Sequence, residues 1–114
     1  MSKQLQKLVE KANIKGFARV NGRQRGYGYV GNLEEKYAVE IENEIVKLRH
    51  WGTQTLEINI KNKKVLDAYG IGNSDRDSVN FILSKFDMPY HVHYYPSREA
   101  FELHDSNENV IEVI

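Results

Sequence analysis

Four histidines, a single tryptophan and a Ser-Asp-Arg-Asp cluster are the side chains whose types and spacing invite chemistry. His91 and His93 stand two apart in "YHVHYY", so on a strand both rings project from one face. With His104 or His50 and a carboxylate, such a pair supplies the donors for zinc or a similar metal. Nothing in the spacing makes His104 or His50 converge on the pair, and no H-E-x-x-H helix is present. The expectation is therefore no metal and no cofactor, with His91 and His93 as the residues to watch. A general acid–base set can be written from His50, Asp75, Asp77 and His104. No nucleophile elbow or triad signature accompanies it, and both aspartates already suit a helix start, so no catalytic residue is assigned and an enzyme is not expected.

Three other features could bind a partner. Lys15, Arg19, Arg23 and Arg25 fall in a stretch ending at Tyr29 that contains no acidic residue. "GFARV" and "YGYVG" flank the polar "NGRQRG" as a hairpin, which puts Phe17, Arg19, Tyr27 and Tyr29 on one face. Cations interleaved with flat rings serve single-stranded nucleic acid, charge for phosphate and faces for base stacking. The plainer reading buries those rings against the N-terminal helix and leaves the arginines in water. Beyond it, Glu34, Glu35, Glu40, Glu42 and Glu44 form either a phosphate-mimicking face or an ordinary solvated one. Phe81 falls opposite the apolar stripe of its helix, and with Trp51 it names the residue types that anchor protein interfaces.

The elements that must hold these side chains read clearly in places. Leu5, Leu8, Val9 and Ala12 give an apolar stripe on a short N-terminal helix that ends near Gly16. "KYAVEIE", "IVKLRHW" and "TLEINI" alternate as strands, the first two turning at Asn43 and Glu44, and "VLDAYG" follows a polar turn. Ser74 is placed to cap a second helix, with Asp77 three residues on as an approximate capping box, and Val79, Ile82, Leu83 and Phe86 form its stripe. "YHVHYY", "AFELHD" and "NVIEV" close the chain as strands. Short connections between neighbouring strands favour antiparallel pairing, so the fold class is α+β: a mostly antiparallel sheet with an N-terminal helix and one central amphipathic helix.

Size and composition bound the function. A chain of 114 residues is one domain, 1–114, which buries roughly two thirds of its unfolded surface. Sixteen basic residues balance sixteen acidic ones, so no bulk charge draws the molecule to nucleic acid or membrane. The absence of cysteine removes disulfides, Cys-based zinc sites and thiol nucleophiles, and suits a cytoplasmic setting. The N-terminus has no apolar signal-peptide core, and no apolar run is long enough for a bilayer, so no membrane partner is expected.

"RHWGTQTLEI" (Arg49 to Ile58) and "GIGNSDRDSVNFIL" (Gly70 to Leu83) together resemble a family of small phage and prophage proteins of uncharacterised function. The matching positions are His50, Trp51, Gly52 and Thr53, then Ser74, Asp75, Arg76, Asp77 and Asn80. The resemblance covers roughly residues 46–105. It leaves residues 1–45, the N-terminal helix and basic hairpin, as an extension on a phage-like core. It implies a biological setting and no mechanism. The function expected on these grounds is a non-enzymatic phage accessory protein that binds a host protein or nucleoprotein, as an inhibitor of host defence (anti-CRISPR-like) or a host-takeover factor. The alternative is a nucleic-acid or nucleotide binder using Arg19, Arg23, Arg25, Tyr27 and Tyr29; a third reading is a small metal-dependent hydrolase.

Overall fold

The structure, a computed structural model, describes residues 3–23 and 33–111. Helix α1 (Lys3–Lys15) buries Leu5, Leu8, Val9 and Ala12. It stops where Gly16 takes the left-handed conformation and donates its N–H to the Ala12 carbonyl. Five antiparallel strands follow in consecutive order: β1 (Phe17–Arg23), β2 (Leu33–Glu42), β3 (Ile45–His50), β4 (Thr53–Asn59) and β5 (Lys64–Ala68). Helix α2 (Asn73–Lys85) then leads to a separate three-stranded antiparallel sheet of β6 (Tyr90–Tyr95), β7 (Ala100–Asp105) and β8 (Val110–Ile111). The class is α+β, as expected, with two sheets.

Helix α1 covers β1 and β2, whereas α2 lies on β6 and reaches β3 and β4, which ties the two sheets together. One continuous apolar cluster runs through Val39, Leu48, Leu56, Ile58, Val79, Ile82, Val92 and Leu103. The alternation of β3 is the expected one, with Val46, Leu48 and His50 buried and the residues between them half-buried. No described helix is long and apolar enough to cross a membrane.

Phe17 to Val20 pair with Tyr37 to Glu40, and Asn21 to Arg23 continue the strand opposite Leu33 to Glu35; the Tyr27 to Val30 half of the expected hairpin lies outside the described residues. Two other expectations need correction. Ser74 is not the cap of α2. The helix begins at Asn73, two residues before the start a Ser74 cap implies, Gly72 occupies the N-cap position without a side-chain cap bond, and the Ser74 carbonyl accepts from Ser78 Oγ. Asp77 forms no capping box and instead pairs with Arg76 at 2.8 Å.

Side chains fix α2 at three levels. Asp75 joins its first turn to β3, and Asn80 bonds both the N–H (2.7 Å) and the C=O (3.0 Å) of Val92. Lys63 donates to the Phe86 carbonyl at its end (2.9 Å). The Asn80 bonds also satisfy an edge of β6 that would otherwise stand open. Gly70, in the β5–α2 connection, is required by close approach, since a Cβ there would collide with the Phe101 ring and with Asp75. Gly70→Ala is expected to cost about 1–3 kcal/mol in urea unfolding. Gly72→Ala, where a Cβ meets nothing within 4 Å, is expected to stay well below that.

Candidate functional site

The β3–β4 hairpin and the start of α2 meet around a cleft of about 470 Å³, lined by His50, Trp51, Thr53, Thr55, Tyr69, Ile71, Gly72, Asn73, Ser74 and Asp75. The hairpin turn consists of Trp51 and Gly52 alone, with φ of +51° and +83°, the two left-handed residues of a tight I′-type connection. Glycine fits there freely. Tryptophan does not, because its Cβ crowds the backbone in that region. Of the six described non-glycine residues with positive φ, Trp51 is the bulkiest.

The polar floor of the cleft is one buried pair. His50 Nδ1 lies 2.7 Å from Asp75 Oδ1, and the two side chains are only 8% and 12% exposed. The other Asp75 oxygen accepts the Ile71 N–H at 2.9 Å, so the carboxylate is held from two sides. Burial works against its ionisation, but the hydrogen bonds from His50 and Ile71 and the His50 charge outweigh it, leaving the carboxyl below its ordinary range. Tyr37, the cross-strand neighbour of His50, stacks on the imidazole at 4.5 Å with the rings 9° from parallel. Burial and the Asp75 charge push the Tyr37 phenol up, and the Ser78 hydroxyl offsets part of that.

This arrangement fixes the imidazole in plane and tautomer. With Nδ1–H given to the carboxylate, neutral His50 presents Nε2 as an acceptor, and protonated His50 presents it as a donor. Among the described residues no Ser, Thr or Tyr hydroxyl hydrogen-bonds His50. Apolar surface completes the site: Tyr69 and Ile71 are 51% and 72% exposed beside the half-buried Trp51.

The residues singled out from sequence fare unequally. Trp51 is in the cleft, and Ser74 lines it. Arg19 and Arg23 are exposed on β1, while Arg25, Tyr27 and Tyr29 lie outside the described residues. The outer face around Arg19 is not purely basic, since Arg49 of β3 sits over the Phe17 ring and pairs with Glu35 at 3.3 Å. Glu44 likewise pairs with Lys61, which makes the acidic segment a solvated, partly paired one. Phe81 is not a free anchor; it is half-buried against the core. His91 and His93 share the outer face of the small sheet, where His104, the cross-strand partner of His91, and Glu108 join them, whereas His50 stays in the cleft.

The sequence placed His50 and Asp75 in a loose acid–base set and in two separate motifs of the resemblance, and did not pair them with each other. Their separation of 25 residues carries no local signal. The usable hint was the bulky His-Trp-Gly-Thr turn itself. Comparison with protein-family models, with curated proteins and with solved structures finds no match to this chain.

Proposed function

We propose that this chain is a non-enzymatic binding protein of the phage accessory type, and that its receptor site is the cleft between the β3–β4 turn and the start of α2. The ligand class that fits is a flat, uncharged heteroaromatic molecule of nucleobase or nucleoside kind. The observation that carries the reading is the His50–Asp75 pair at the floor of a cleft bearing Trp51 and Tyr69. Apolar walls with a few convergent polar groups are the usual make-up of a small-molecule site, and the volume lies within the usual range. The aromatic rings offer stacking surface, His50 Nε2 accepts from a ring N–H or amino group, and Asn73, Ser74 and Thr53 add short polar side chains. The Asp75 carboxylate at the floor disfavours a phosphate at the same spot, so the nucleoside is preferred to the nucleotide.

Two further points support this reading over the basic surface expected from the sequence. His50, Trp51 and Thr53 from one motif of the phage-like resemblance, and Ser74 and Asp75 from the other, line the same cleft. A binding role for the fold's working part also explains why a strained Trp is kept where Asn or Gly would make the better turn. Adding nucleosides to isotopically labelled protein should shift the amide signals of Thr53, Asn73 and Ser74 and the Trp51 indole. Trp51→Asn should keep the fold and abolish those shifts. Shifts confined to the Arg19 and Arg23 strand would return the function to that surface.

A further inference from the structure

The outer face of the three-stranded sheet gathers a second set of groups, remote from the cleft in sequence and held by different elements. His91 and His93 alternate on β6, His104 faces His91 from β7, and Glu108 reaches back from the β7–β8 turn. One donor atom from each lies within 4.8 Å of all the others. The individual separations are 2.9 Å for His91 Nε2 to His93 Nε2, 3.3 Å for His91 Nε2 to Glu108 Oε1, 3.6 Å for His93 Nε2 to Glu108 Oε2, and 3.5 Å for His104 Nδ1 to Glu108 Oε2. Four donors around a tetrahedral zinc with bonds of about 2.0–2.1 Å stand about 3.3–3.4 Å apart. The four separations given, 2.9 to 3.6 Å, bracket that value, and the remaining pairs stay within 4.8 Å.

Two independent features show that the cluster is built. His104 is 9% exposed, and its Nδ1 is buried without a hydrogen-bond partner among the described residues. Its other nitrogen, Nε2, lies 3.2 Å from Glu102 Oε1, and Arg98 holds the second Glu102 oxygen at 3.3 Å. A carboxylate at Nε2 requires Nε2–H, which leaves the Nδ1 lone pair aimed into the cluster. This is the carboxylate–histidine arrangement that orients metal-ligating imidazoles. The turn carrying Glu108 is shaped as well: the Asp105 carboxylate accepts the N–H groups of Asn107 and Asn109, each at 2.9 Å. Left without a cation, the same cluster would hold a buried nitrogen that makes no hydrogen bond, its nearest carboxylate oxygen being 3.5 Å away on Glu108, a cost folded proteins avoid.

We propose that His91 Nε2, His93 Nε2, His104 Nδ1 and the Glu108 carboxylate form a binding site for one Zn²⁺ ion. Nitrogen and oxygen donors without thiolate suit this borderline metal. Four protein donors fill a tetrahedron and leave no position for substrate, so the ion clamps the β7–β8 turn onto β6 and does no chemistry. The site stands apart from the cleft reading and is tested separately.

The test is titration of the chelator-stripped full chain with Co²⁺ and Zn²⁺. The expected result is one equivalent of Co²⁺ with the intense visible absorption of tetrahedral coordination, displaced by Zn²⁺, and a melting temperature that rises with Zn²⁺ concentration. His93→Ala and Glu108→Gln, both at exposed side chains, should weaken binding by roughly 100-fold or more, and Glu102→Gln by about 10- to 100-fold. Tyr69→Ala, in the cleft, should leave it unchanged. Absence of stoichiometric binding, an octahedral Co²⁺ spectrum, or affinity indifferent to His93→Ala and Glu108→Gln in folded protein would each overturn the proposal.

Discussion

Asp75→Ala is expected to destabilise the protein by roughly 2–6 kcal/mol, since two buried or half-buried donors lose their acceptor at about 1–3 kcal/mol each. The substitution leaves His50 buried with an unsatisfied Nδ1–H and frees the Ile71 N–H, so the β3–β4 turn and the start of α2 lose their common fastening. Asp75→Asn keeps one acceptor and should lose less. The pH dependence has a definite sign. The folded carboxyl titrates below its ordinary value of 3.8, so on acidification the unfolded chain takes up the proton first. The stabilisation is therefore complete above that ordinary value and is lost as pH falls through the lower folded one. The gap between wild type and Asp75→Asn, read from urea unfolding at several pH values, should be widest near neutrality and close on acidification through that window. A gap independent of pH would mean that the charge on Asp75 contributes nothing.

Ile82→Ala is the second large effect, expected at about 2–5 kcal/mol. Ile82 is fully buried on α2, in the cluster that includes Val92 from the small sheet and Leu48 and Leu56 from the large one. Truncation opens a cavity in the region that joins the sheets. Because α2 also supplies Asn73, Ser74 and Asp75 to the cleft, the variant should show weakened ligand binding even at temperatures where it remains folded. A substitution of similar chemistry under α1, Leu5→Ala, should cost comparable stability and spare the cleft, which separates loss of packing from loss of the site.

Much of the scaffold was legible because it is local. The stripe of Leu5, Leu8, Val9 and Ala12, and the alternation of Val46, Leu48 and His50, are repeated signals within single elements, and each element buries the face its period indicates. The pairing of β1 with β2 was not legible, because it joins segments far apart in the chain and no local pattern specifies it. The start of α2 lies two residues before the one a Ser74 cap implies, because Gly72 takes the N-cap position and Ser74 is already inside the helix, where its carbonyl accepts from Ser78. His91 and His93 were visible as a pair, but Glu108 sits in a segment that reads as a plain polar turn, and only the register of β7 brings His104 beside them. The cleft illustrates the same limit: two motifs were recognised separately, and tertiary structure brings them to one place.

Trp51 is the only tryptophan in the chain and lines the cleft, so its fluorescence reports occupancy directly. The decisive measurement is a titration of that signal with a panel of uncharged nucleosides in wild type and Tyr69→Ala. The expected result is saturable quenching by at least one of them, weakened roughly 5- to 150-fold in Tyr69→Ala as one stacking contact worth about 1–3 kcal/mol is lost. Emission that no member of the panel changes saturably, or quenching identical in the two proteins, would contradict the assignment of this cleft as the binding site.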